Sequence, residues 1–113
     1  MQYWILKSEP STYSLSDLFR DGKTCWDGIR NYQARNNLRL MKPGDRAVFY
    51  HSGDERAAVG LAEIKTVAYQ DPKTKDNWSA VDIAPVRTFK TPITLAQMKA
   101  DALLKNMVLV KNS

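Results

Sequence analysis

Between Thr24 and Arg39 the sequence reads TCWDGIRNYQARNNLR, with two aromatics, three arginines and four side-chain amides in one short stretch. Trp26 and Tyr32 offer flat faces on which a ring can stack. Asn31, Gln33, Asn36 and Asn37 offer paired donors and acceptors, and Arg30, Arg35 and Arg39 offer cationic forks. A base recognised outside a helix needs this combination: a stacking face, groups that read its edge, and cations for its phosphates. On a helix, residues 32, 35, 36 and 39 share one face, so Tyr32, Arg35, Asn36 and Arg39 project together. The competing reading is a solvated basic helix face with Trp26 as a satellite core residue. The spacing leaves both open.

Catalytic chemistry has fewer candidates. The chain has one cysteine, Cys25, and one histidine, His51. His51 ends an apolar run beside Ser52, where it either bonds to backbone or contacts a ligand. Cys25 could serve as a nucleophile only with a base beside it, and a buried cysteine is inert. A nucleotide- or nucleic-acid-processing enzyme using His51 and Cys25 is therefore the rival reading from another class. One His and one Cys do not make a zinc ligand set, so no metal is expected. GDERAAVG is neither a phosphate loop nor a dinucleotide fingerprint, and no cofactor is expected. Trp4 sits in an apolar run and reads as core. Trp78 follows a polar loop; it either closes the far side of an aromatic cage or caps the fold.

The chain of 113 residues suits one domain with a single core. Its formal charge is +5 with a pI near 9.4, which favours polyanions as partners. A lone cysteine excludes an internal disulfide. The first residues lack a signal-peptide pattern and no run reaches bilayer length. A cytoplasmic location is expected, nuclear in a eukaryote, with no membrane partner.

Several elements must position these residues. QYWILKS reads as a buried strand ended by Pro10. Ser14 and Asp17 make a capping box for a short helix carrying Leu15, Leu18 and Phe19, with Gly22 as its stop. Trp26-Asp27-Gly28 reads as a turn. Asn31 caps a helix from Tyr32 to Met41 whose apolar stripe is Ala34, Leu38 and Met41. RAVFYHS and AAVGLAEIKTVAY read as strands, with a bulge or bend at Gly60. WSAVDIAPVRTFK is a third strand, edged or bulged at Pro85. Thr94 and Gln97 cap a last helix reaching about Asp101. MVLV is a final strand or a packing segment. Strands joined as hairpins, with helices inserted after the first, predict a small, mainly antiparallel α+β barrel.

YWILKSEP, WDGIRNYQARNNLR, GDRAVFYHS and AVGLAEI, in this order, strongly resemble the EVE domain family of the PUA-like superfamily, across nearly the whole chain. The resemblance implies one EVE domain over residues 1–113: a mixed, mainly antiparallel PUA-like barrel flanked by short helices, without catalytic activity. It implies similarity to YTH domains, which read N6-methyladenine in RNA through an aromatic cage. Those domains carry a Lys-Ser after their first strand and a Trp in the turn before a helix, like Lys7-Ser8 and Trp26 here. It further implies a reader of modified bases in DNA or RNA, with 5-methylcytosine or 5-hydroxymethylcytosine as favoured ligands. By that analogy Trp26 is one wall of the pocket, and Lys7, Ser8, Asn31, Tyr32, Tyr50, His51 and Ser52 converge on it. Trp78 is carried over as a further wall of the cage, and Arg30, Arg35 and Arg39 hold the nucleic-acid backbone. Family members usually continue past the VK-x-S segment with another strand and a helix. The expectation is a monomer lacking that strand and helix, with a dimer or strand swap open to it through the exposed edge.

Overall fold

The computed structural model describes residues 2–53, 56–94, 96–97 and the backbone of 108–110. Apolar and β-branched runs form the strands β1 (Tyr3–Ser8), β2 (Thr24–Trp26), β3 (Arg46–His51), β4 (Ala57–Ile64), β5 (Tyr69–Gln70), β6 (Ser79–Thr94) and β7 (Val108–Val110). Two helices, α1 (Leu15–Asp21) and α2 (Tyr32–Leu40), lie between β1 and β3. The strands make one curled sheet in the order β2-β6-β4-β3-β1-β7, with β5 on the flank of β6. Among the described residues only the β1–β3 and β1–β7 pairings are parallel. The expected mixed, mainly antiparallel α+β architecture is what the chain adopts.

Strand alternation divides the side chains between two faces. Trp4, Leu6, Phe49, Val81 and Ile83 point inward, where they pack with Leu15 and Leu18 of α1, Ala34 and Leu38 of α2, and Met41 at its end. Ile5, Val48, Tyr50 and Ala58 form a smaller cluster on the other face with Leu61, Phe89 and Ile93. Trp4 is core, as its apolar run predicts, and Asp45 accepts a hydrogen bond from its Nε1 at 3.1 Å.

Both helices start where their caps place them. The Ser14 hydroxyl accepts from the Asp17 N–H, the Asp17 carboxylate accepts from the Ser14 N–H, and Gly22 ends α1 at φ +77°. The Asn31 side chain accepts from the Ala34 N–H and opens α2. The Thr94–Gln97 capping box also forms and residues 96–97 are helical, but the rest of the helix expected to follow lies outside the described residues. MVLV is strand over Val108–Val110. The sequence reading of 57–69 as one strand needs correction. β4 ends at Ile64, and Tyr69–Gln70 is a separate short strand turned onto β6. Thr24–Trp26, taken in part as a turn, is instead extended and paired with Val81–Ile83.

Gly60 lies at the predicted irregularity. The register of β4 slips on both its pairings near it, and a second slip brings Pro85 opposite Ala62. A Cβ at Gly60 would stand 2.4 Å from both the Arg87 carbonyl oxygen and Leu15 Cδ2. The missing side chain lets β6 and α1 close on β4. Gly60→Ala should therefore lower the urea midpoint, corresponding to a loss of about 2 kcal/mol from overpacking, with an unchanged m-value. A midpoint equal to wild type would show that the backbone has room to yield there.

Candidate base-binding cavity

β1, the turn leading to α1, and β2 run out at the same end of the sheet, and a cavity of about 810 Å³ opens between them. Ser8 ends β1, its hydroxyl donating to the Tyr13 carbonyl at 2.5 Å. Its own carbonyl accepts from the Ser52 N–H at 2.9 Å, which fixes the end of β3 beside it. The Glu9 carbonyl accepts from the N–H groups of Thr12 and Tyr13, so the chain folds back and delivers Tyr13 to the wall. Trp26, at the end of β2, faces this space while only 4% exposed. Its ring meets Tyr13 and Phe49 edge to face, with centroids 6.3 and 5.6 Å away. Its Nε1 is buried without a hydrogen-bond partner among the described residues. Asp27, Gly28 and Lys73 complete the rim, with Lys73 Nζ 3.1 Å from an Asp27 carboxylate oxygen.

Asp71, fully buried, holds that rim together. One carboxylate oxygen accepts from the Gly28 N–H and from the Arg30 guanidinium, each at 2.9 Å. The other accepts from the Lys73 N–H at 2.7 Å, an Asx turn into Pro72-Lys73. Burial alone would raise the carboxyl's pKa, but the Gly28 N–H, Arg30 and the Lys73 N–H outweigh it and hold it below the ordinary carboxylate value. Further along the same loop, Trp78 stacks on Tyr32 of α2 at 5.2 Å and 24°. Arg35 lies over both rings at 5.0 and 5.6 Å, and Arg30 lies over Trp78 at 5.6 Å. Arg35 and Arg39 donate to the Asn77 carbonyl, Arg39 also to the Asn77 side chain and the Ser79 hydroxyl.

The EVE domain model matches residues 2–113. The chain belongs to the EVE domain family. It is 40% identical to human thymocyte nuclear protein 1 over 95% of its own length and 63% of that protein's. It spans between about half and two thirds of the thymocyte nuclear proteins it matches. The crystal structure of human THYN1 in complex with 5-methylcytosine containing DNA superposes with a TM-score of 0.80 at 37% identity, covering 95% of this chain and 83% of that one. At fold level it is also similar to the YTH domain of Zygosaccharomyces rouxii MRB1, with a TM-score of 0.53 and 14% identity over 88% of this chain and 65% of that one.

The residues singled out from sequence divide into three groups in this EVE domain. Lys7, Ser8, Trp26 and Ser52 border the cavity. The Lys7 ammonium, however, lies 5.5 Å from the ring of Tyr50, its cross-strand neighbour on the outer face. Tyr32, Trp78, Arg30, Arg35 and Arg39 assemble along α2 and the 71–78 loop instead, with Tyr32 68% exposed. The side chains of Asn31, Tyr50 and His51 are engaged elsewhere. Asn31 caps α2, and Tyr50 packs in the outer cluster. His51 Nε2 accepts from the Leu15 N–H at 3.0 Å, satisfying one of the open donors that begin α1.

The human relative is crystallised in a binding complex, with 5-methylcytosine containing DNA. At Cys25, burial pushes the thiol pKa up, against the opposing pull of the Tyr69 hydroxyl 3.0 Å away. Sequence reasoning missed Glu9, Thr12, Tyr13, Asp27 and Lys73 as wall residues, and Asp71 as their organiser. The Asp71-Pro72 pair carried a turn signal, but a side chain reaching 43 positions back to Gly28 leaves no local pattern.

Because Asp71 is held below its unfolded pKa, its contribution is fully present above about pH 4 and is lost as pH falls through the folded value. Asp71→Asn should cost about 2 kcal/mol at neutral pH, since it removes charge-assisted bonds from a buried site. It should also flatten the decline in stability below pH 4. Urea melts of both proteins at pH 3 and pH 7 check this; parallel pH profiles would show that Asp71 is not the titrating group.

Proposed function

We propose that this EVE domain binds nucleic acid and reads a modified base, of the 5-methylcytosine or 5-hydroxymethylcytosine type, in the cavity walled by Trp26. The observation that carries the reading is a cavity of base-binding size at the strand ends, in a chain 37% identical to a protein crystallised on 5-methylcytosine DNA. Trp26 supplies the aromatic wall, and Ser8, Thr12 and Ser52 bring polar groups to the same space. The +5 charge draws in the polyanion. Arg35 and Arg39 steady the 71–78 loop, yet a guanidinium has five donors, so each retains capacity to meet phosphate. The exposed Tyr32 face beside them suits a flanking base. The domain would work in the cytoplasm, or in the nucleus of a eukaryote.

Fluorescence titration of the tryptophans tests the reading. Oligonucleotides would carry cytosine, 5-methylcytosine, 5-hydroxymethylcytosine, adenine or N6-methyladenine, as DNA and as RNA, at two salt concentrations. Affinity should weaken as salt rises, and replacing Arg35 by Ala should reduce the slope of log K on log salt by about one. One methyl group removed from water favours the methylated base about fourfold. Trp26→Phe, which keeps a ring in the core, should weaken binding of the methylated base. Equal binding of all bases would leave a general nucleic-acid module in place of a reader.

A further inference from the structure

The cavity of a basic, polyanion-seeking protein contains two carboxylates among its described walls, Glu9 and Asp27. Near phosphate each is a liability, so the question is what either could be there to bind. Glu9 is an exposed rim residue whose carboxylate lies against Gly53; a Cβ on that glycine would stand 2.8 Å from Glu9 Oε1. Asp27 is different. Its side chain is only 18% exposed. Both flanks of its backbone are fixed: Trp26 pairs with Val81 in β6, and the Gly28 N–H is held by buried Asp71. The cation facing it, Lys73, is 66% exposed. Such a pair contributes little to stability and exchanges readily.

We propose that Asp27 makes the cavity selective for bases bearing an exocyclic amine. This inference rests on the reading that the cavity takes a base. An ionised carboxylate is an acceptor only. It matches the amino group of cytosine or adenine and opposes the carbonyl that thymine and uracil present at the same place. Lys73 occupies Asp27 until the ligand arrives. A phosphate then draws the exposed ammonium outward while the amine takes over the carboxylate, so the largely covered Asp27 is not left unpaired. The methyl group and the amine are thus read by different parts of the wall: the first by shape and apolar contact, the second by Asp27.

Thymine holds the 5-methyl group constant and inverts the edge beside it, with a carbonyl in place of the exocyclic amine and an N3–H in place of the N3 acceptor of 5-methylcytosine. Fluorescence anisotropy would compare single-stranded oligonucleotides that differ only in 5-methylcytosine, cytosine or thymine at one position. The wild type should prefer 5-methylcytosine to thymine by about tenfold or more. Asp27→Asn, whose amide donates as well as accepts, should reduce that preference to about twofold while keeping the preference for 5-methylcytosine over cytosine. Lys73→Met should retain the preference over thymine and show a shallower salt dependence. A wild type that binds 5-methylcytosine above cytosine but equals it with thymine overturns the role of Asp27 and leaves the base reader standing. So does an Asp27→Asn protein that discriminates as wild type does. If Lys73→Met loses the preference, the amine reading passes to the lysine and the assignment to Asp27 fails. If Asp27→Asn melts below wild type, the Lys73→Met comparison decides. No preference of the wild type for 5-methylcytosine over cytosine sinks the base reader itself, and this inference with it.

Discussion

One buried carboxylate sets the geometry on which the cavity depends. Asp71 comes from a loop between strands with no regular structure of its own, yet it gathers the Gly28 N–H, the Arg30 guanidinium and the Lys73 N–H. Its ionised form is compensated by one distant segment, Gly28 and Arg30, and by its own loop at Lys73, so burial is tolerable only when that segment is in place. That requirement joins the exit of β2 to the loop before β6. It also brings Asp27 and Lys73, 46 positions apart in sequence, into the same rim.

The arginines and aromatics of α2 show how one composition can serve two ends. Tyr32, Trp78 and Arg35 stack so that ring faces and guanidinium planes cover one another, an arrangement favoured by dispersion and by the ring quadrupole. The stack presses the 71–78 loop onto the helix, while Arg39 fastens Asn77 and Ser79 below it. A surface held this way is pre-organised, and a partner meeting it loses little further side-chain freedom.

Much of the scaffold was legible because its signals are local. The capping boxes at Ser14 and Thr94, the cap at Asn31, the stripe of Ala34, Leu38 and Met41, and the interruption at Gly60 each rest on residues within a turn or two of one another. The site was less legible because its residues meet only after the sheet has curled. Trp26 borders the cavity, but its burial against Phe49 depends on β3 and β6 lying where they do. Tyr32 shares a basic, amide-rich stretch with Trp26, yet the helix begun at Asn31 carries it away from the cavity and onto Trp78. His51 looked available beside Ser52, but the open end of α1 takes its ring nitrogen. Proximity in sequence suggested a single pocket; helix geometry divided its members between a cavity and a neighbouring face.

The position of β1 has a consequence for how the molecule is made. β1 is an inner strand, with β3 on one side and β7 on the other, both parallel to it. Trp4 pairs with Val108 across almost the whole sequence. Parallel neighbours cannot be supplied by a hairpin, so β1, once synthesised, has one edge open until residues 108–110 have emerged. At ordinary rates of elongation this interval lasts several seconds or more. During it the apolar run of Tyr3 to Leu6 is exposed to other nascent chains, which makes this edge the point at which chaperone capture or strand exchange would compete with folding.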